Sequence, residues 1–222
     1  MRFIIFAPPY RHNSAGIRAL YLLRDYLVGY GEDALVMSFE ERFPLVDGDV
    51  VIYPEIVVGN PLGAKKVVRW VLCDLGRLGG DTDFDDELVF AWDNTLMRDG
   101  YAGILEVPVV EDFFFDDSRE RVVNCYYVGK GKFRPHGVLD GCVEITSSYP
   151  ESREALAELL QSTKVLYTFD DFSGLSTEAV ECGACVKVIK KDIEDFALYK
   201  DPDDVKKNLP SQLEYFIRKV KE

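Results

Sequence analysis

Residues 167–188 read YTFDDFSGLSTEAVECGACVKV. An apolar run ends in a Gly/Ser turn, a short helix-like segment follows with Glu178 near its start, and a glycine returns the chain to a second apolar run. Strand, turn, helix and strand in that order make the repeating unit of a parallel α/β sheet. Ligands of such sheets gather at the carboxyl ends of the strands, so the DDFSG turn is where chemistry is expected.

The alternation continues on both sides. Towards the N-terminus lie a strand VVNCYYVG, a loop KGKFRPHG, a strand CVEITSS and a helix ESREALAELLQST. Ser148 and Glu151 have capping-box spacing before that helix, with Pro150 in its first turn. Further back, RFIIFAPP reads as a first strand, and Ile17, Leu20, Leu23 and Leu27 share one face of a helix that Gly29 and Gly31 end. DALVMSF, DVVIYPEIVV, AKKVVRWVLCD and LVFAW follow as strands whose apolar character suits a sheet covered on both faces.

At ILEVPVVEDFFFDDSRERV a Pro-containing extended segment and an acidic patch interrupt the pattern. The expected division is an N-terminal domain over 1–116 and a C-terminal domain over 117–222. The closing PSQLEYFIRKVKE starts at Pro210, places Leu213, Phe216, Ile217 and Val220 on one face and ends basic, as a docking helix of the second domain does. The fold class expected is α/β, with two Rossmann-like doubly wound domains facing a cleft.

Composition narrows the function. The 222 residues carry 26 Lys and Arg against 39 Asp and Glu, a net charge of −13, which opposes the attraction that nucleic-acid and anionic-membrane binding relies on. The opening MRFIIFAPPYR is too short for a membrane span or a secretion signal, so a cytoplasmic protein without a transmembrane segment is expected. Five cysteines fit reduced thiols. Cys182 and Cys185 have redox spacing, but they follow a helix instead of opening one, which favours a structural role.

Three loops offer chemistry. Tyr10, Arg11, His12, Asn13 and Gly16 follow the first strand; Lys130, Lys132 and Arg134 follow VVNCYYVG; Asp170 to Glu178 follow KVLYTF. A helix N-terminus after DFSGLST suits a phosphate, and Lys130 and Lys132 arriving from a neighbouring strand end suit the rest of a diphosphate without a metal. Glu178 either takes both hydroxyls of a ribose or complements the helix dipole. Gly16 permits close backbone approach to a donor phosphate or sugar. His12 either assists deprotonation of an acceptor or bonds within its loop, and His136 has the same two readings. Asp81-Thr82-Asp83 reads as an exposed acidic turn, and the GxGxxG begun by Gly129 and Gly131 fails at Arg134.

The segment YTFDDFSGLSTEAVECGACVKVI resembles the donor-binding segment of GT-B glycosyltransferases of the retaining, Glu-x7-Glu type. Asp170 stands at the first carboxylate, Phe172 at the aromatic, Glu178-Ala179 at the second carboxylate and Cys182-Gly183 at the helix end. YYVGKGKF resembles the segment that brings basic residues to the diphosphate, and SAGIRALYLLRDYLVGYG the first glycine-rich loop and helix. The sequence departs from the family in Asp170 for Glu, Lys130 for Arg, and a shorter chain.

The resemblance implies a metal-independent glycosyltransferase with a nucleoside-diphosphate-sugar as donor substrate, no cofactor and an unknown acceptor. Glu178 would hold the ribose, Lys130 and Lys132 the diphosphate, Ser176 and Thr177 would supply helix-end N–H groups, and Asp170 would face the transferred sugar. The alternatives are a non-catalytic nucleotide- or sugar-binding protein with a degenerate acceptor domain, and a nicotinamide-dependent oxidoreductase.

Overall fold

The computed structural model describes residues 1–41, 43–84, 86–133, 139–190, 193–196 and 201–222, of which 132, 133, 190 and 193–196 are described by their backbone alone. The chain divides into two compact units. Unit 1 comprises Met1–Pro108 with Asp203–Glu222, and unit 2 comprises Val109–Pro202.

Unit 1 is built on strands β1 (Arg2–Ala7), β2 (Asp33–Ser38), β3 (Val50–Pro54), β4 (Lys66–Val71), β5 (Leu88–Ala91) and β6 (Gly103–Ile104), with helix α1 (Ala15–Gly29). The strands form one parallel sheet in the order β2-β1-β3-β4-β5-β6. The run of β-branched and aromatic residues in RFIIFA and VVIYP is buried along nearly its whole length, the signature of a strand covered on both faces.

The two coverings differ. Side chains alternate along a strand, so Ile4 and Phe6 face one way with Met37, Val51 and Tyr53, and irregular segments carrying Val57, Ala64, Phe39 and Leu62 pack on them. Phe3 faces the other way and meets Phe216, which also stacks edge-on against Phe90 at 4.8 Å. Helices on both faces were expected of a doubly wound domain; here loops replace them on one.

Phe216 belongs to the terminal helix. Expected in the second domain, it returns instead to unit 1, where Gln212 accepts the Glu106 N–H at 2.9 Å and Tyr215 donates to Ala102 O at 3.0 Å. This helix, α4, runs Pro202–Lys221 and starts eight residues before the expected Pro210, which lies inside it. Asp203 and Asp204 in the first turn and Arg218, Lys219 and Lys221 in the last match the helix dipole. The division near residue 116 likewise moves to Pro108/Val109, because Glu111 and Phe114 pack inside unit 2.

Unit 2 holds β7 (Val123–Tyr127), β8 (Cys142–Ile145), β9 (Thr163–Thr168), β10 (Cys185–Lys190) and β11 (Ile193–Phe196), with α2 (Arg153–Gln161) and α3 (Gly174–Glu181). The order is β11-β10-β9-β7-β8, parallel except for β11. Leu156, Ala157 and Leu160 of α2 and Leu175 and Ala179 of α3 share one core with Cys125, Leu166 and Val186. The expected capping box does not form: Ser152 caps α2 by accepting the Ala155 N–H at 3.1 Å, and Pro150 precedes the helix. Both units are thus α/β with a parallel sheet. No helix among the described residues is long and apolar enough to cross a membrane.

Candidate functional site

The strand order of unit 2 creates a switch point. From β7 the chain steps to β8 on one side, then to β9 on the other, so the connections leaving β7 and β9 diverge and open a crevice at their carboxyl ends. Val128–Phe133 and Phe169–Ser173 are the two segments that border it, and they carry Lys130 and Asp170.

Asp170 joins them. Its carboxylate is 1% exposed and accepts the Lys130 N–H at 3.0 Å on Oδ2 and the Phe172 N–H at 3.1 Å on Oδ1. The Lys130 ammonium lies 3.9 Å from Oδ2, donates to Phe172 O and stands 5.3 Å over the Phe172 ring. The backbone of 129–133 winds into a short 3-10 helix so close to the second segment that side chains are excluded from two positions. Gly129, at φ 48°, would aim a Cβ into the Tyr127 ring and Asp170 Oδ2, and one on Gly131 would meet Phe169 O. The two glycines of GKGK therefore serve this contact and not a dinucleotide fingerprint.

The helix beyond starts earlier than its sequence suggests. Ser173 caps α3, its hydroxyl accepting the Leu175 N–H at 3.3 Å, so Gly174 is the first helical residue. Ser176 is the third residue, 6% exposed, and its N–H is spent on Ser173 O at 3.1 Å; Thr177 is half-buried one position on. Glu178 is the fifth residue, beyond the first turn, where a dipole contribution has faded.

Glu178 has another partner, which sequence reasoning missed. Arg153 Nη1 and Nη2 grip its carboxylate at 3.1 and 2.6 Å, and Arg153 also binds Glu111. Burial alone would lower the Arg153 pKa, but the hydrogen bonds to Glu111 and Glu178 outweigh it and raise it. Tyr127, the last residue of β7, links the two halves of the site. Its phenol hydrogen-bonds Ser173, and burial followed by the charges of Asp170 and Glu178 pushes its pKa up.

The other expected residues lie elsewhere. Lys132 is described by its backbone only, and Arg134 and His136 lie outside the described residues. His12 and Gly16 belong to unit 1, at its own switch point between β1 and β3. The His12 carbonyl accepts from Arg18 at 2.6 Å, and a Cβ on Gly16 would make only ordinary contact with Leu72. Asp81 accepts the Gly59 N–H at 2.6 Å, as a loop-bracing residue does.

All five cysteines are free. Burial, and then Glu178, pushes the Cys182 thiol up to about 12, which removes it from redox chemistry near neutrality. No group of three or more His, Cys, Asp or Glu among the described residues is arranged to hold a metal ion. No protein-family model, curated protein or solved structure matches the chain.

Proposed function

We propose that the chain is a glycosyltransferase of the GT-B type that binds a nucleoside-diphosphate-sugar at the carboxyl edge of the unit 2 sheet. The observation that carries this reading is the meeting of the Val128–Phe133 and Phe169–Ser173 segments at the switch point, where Lys130 and the start of α3 come together. The likeness of residues 167–188 to a donor-binding segment supports it independently.

Lys130 and Asp170 then have roles that their surroundings allow. Lys130, 26% exposed, and the N-terminal end of α3 take the diphosphate. Asp170, expected to face the transferred sugar, instead holds both segments by their N–H groups and so shapes the phosphate seat. The resemblance assigns Glu178 the ribose hydroxyls, a role that requires Arg153 to release a carboxylate that is 2% exposed. In the transfer the bond from the anomeric carbon to the diphosphate oxygen breaks, a bond to an acceptor oxygen forms, and the acceptor hydroxyl passes its proton to the departing diphosphate oxygen. Charge builds on the departing diphosphate, where Lys130 and the α3 end stabilise it most.

The burial of both Asp170 and Glu178 favours a second reading, a nucleotide- or sugar-binding protein without transfer activity. A thermal-shift panel of UDP, GDP, CDP, ADP and NAD on wild type and Glu178→Ala tests the shared part. A true ligand raises stability by about 2.7 kcal/mol at a hundred times its dissociation constant. No shift with any nucleoside diphosphate, or an undiminished response in the variant, would sink the site assignment. Release of free nucleoside diphosphate from a panel of sugar donors then separates transferase from binding protein.

A further inference from the structure

The carboxyl edge of the unit 1 sheet carries a cavity of its own, beside the ends of β1 and β2, with a volume of about 420 Å³. Pockets for small ligands span about 300–1,000 Å³. Tyr10, three residues past the end of β1, and Tyr21, in the second turn of α1, form two of its walls. Their rings stand at 74° with centroids 5.1 Å apart. The Tyr21 phenol donates to Pro8 O at 3.1 Å, which fixes its ring, while Tyr10 is 55% exposed. So open a ring leaves much of its surface available to a ligand.

The third wall is acidic. Ser38 ends β2 and starts a turn: its carbonyl accepts the Glu41 N–H at 2.9 Å, its hydroxyl accepts the Glu40 N–H at 3.4 Å, and its own N–H donates to the Glu41 carboxylate at 3.4 Å. The turn thereby brings two carboxylates to the same cavity as the two tyrosine rings, and Val36 adds apolar surface. No Lys or Arg among the described residues lines it. The negative potential reaches the rings. Burial and then the charge of Glu41 push the Tyr21 phenol pKa up, against smaller opposing effects of a backbone hydrogen bond at Tyr10 and of Arg24, which is ion-paired with Asp25 at 2.6 Å.

The faces of aromatic rings attract cations, and carboxylates add their charge from further away. Glu40 and Glu41 lie on one turn and approach from one side. A primary ammonium, with three N–H donors, would leave part of that set facing aromatic carbon. An ammonium bearing methyl groups has no such donors to satisfy and presents apolar surface to the rings and to Val36. We propose that unit 1 binds the methylated ammonium group of a small organic cation in the cavity formed by Tyr10, Tyr21, Glu40 and Glu41. The site lies within unit 1 and stands without the nucleotide-sugar reading of unit 2.

The test titrates the full chain with choline, with the neutral alcohol in which carbon replaces the choline nitrogen, and with ethanolamine as the unmethylated cation, following amide chemical shifts by NMR. Choline should shift the Tyr10, Glu40 and Glu41 amides and bind at least about fivefold tighter than either companion. Tyr10→Leu should weaken choline about fivefold and leave the neutral alcohol unchanged, whereas Tyr10→Phe should retain choline. Glu40→Gln should weaken it about twofold to threefold at low salt. Tyr10 and Glu40 are exposed, so these variants keep the fold. Equal affinity for choline and the alcohol would make the cavity an apolar cleft, and equal affinity for ethanolamine would make it a carboxylate site with no aromatic role. Either result, an unchanged choline affinity in Tyr10→Leu, or no shift at those amides overturns the inference.

Discussion

Replacing Asp170 by asparagine isolates the contact that shapes the site. The carboxylate supplies two acceptor oxygens to two backbone donors on different segments, at 3.0 and 3.1 Å, in a position 1% exposed. Hydrogen bonds to a charged acceptor contribute about 1.5–3 kcal/mol each, and leaving a buried donor unmatched costs a similar amount. An asparagine carbonyl can serve either Lys130 N–H or Phe172 N–H, but its NH₂ must then face the other donor. One bond is lost and one weakened. The ammonium 3.9 Å away is partly exposed and adds at most about 1 kcal/mol. The expected destabilisation is about 2–4 kcal/mol, read from urea denaturation followed by circular dichroism, with the slope unchanged. Hydrogen exchange supplies the local readout: the Lys130 and Phe172 amides should lose protection more than those of β9. Affinity for whichever nucleoside diphosphate binds should fall as well, because Lys130 is no longer held. A change below about 0.5 kcal/mol with both amides still protected would refute the clamp, and Lys130 would need another anchor.

Three further outcomes follow from the packing and charge of single residues. Gly129→Ala places a methyl against the Tyr127 ring and Asp170 Oδ2 at φ 48°, and should cost about 1–3 kcal/mol; a denaturation midpoint equal to wild type contradicts the packing. Burial disfavours ionisation of Asp49, but the paired bonds from Arg2 at 3.2 and 2.7 Å and the Val46 N–H outweigh it, so its pKa lies below the ordinary carboxylate value. Stability from this group is therefore present above about pH 4 and fades as pH falls through the folded-state value, so wild type should lose its margin over Asp49→Asn on acidification from about pH 5 to 2; a constant margin counts against it. Finally, exposed Cys185 should react with a thiol reagent at pH 8 while Cys182, buried and pushed up to about 12, resists until unfolding. Peptide mapping decides this, and early labelling of Cys182 would contradict its burial.

What could be read from the sequence, and what could not, divides along the range of the interactions. The apolar runs that become β1, β3, β4, β7, β9 and β10 announce themselves locally, because a strand buried on both faces needs nothing but β-branched and aromatic residues. Helix starts were misplaced where two plausible signals competed. The turn DFSGLST reads as preceding the helix, yet Ser173 is the residue whose hydroxyl meets an N–H two positions on, and Ser176 and Thr177 lie inside α3. Pro210 looks like a first helical position, yet α4 starts eight residues earlier at Pro202, with Asp203 and Asp204 in its first turn. The irregular covering of one face of unit 1 has no period to detect at all.

The site shows the same division more sharply. Lys130 and Asp170 could be paired in advance because both follow apolar strands, and a parallel sheet gathers its carboxyl-end loops. Glu178 could be singled out but not understood, since its partners lie 25 residues away on α2 and, through Arg153, a further 42 residues back. The helix start matters here as well. An arginine as the first residue of a helix carries the unfavourable sign for that position by about 0.3–1 kcal/mol, and here the carboxylates of Glu111 and Glu178 offset it. That Arg153 comes first emerges only once Ser152 is seen to cap α2, and its contact with Glu178 then follows from the packing of α2 against α3.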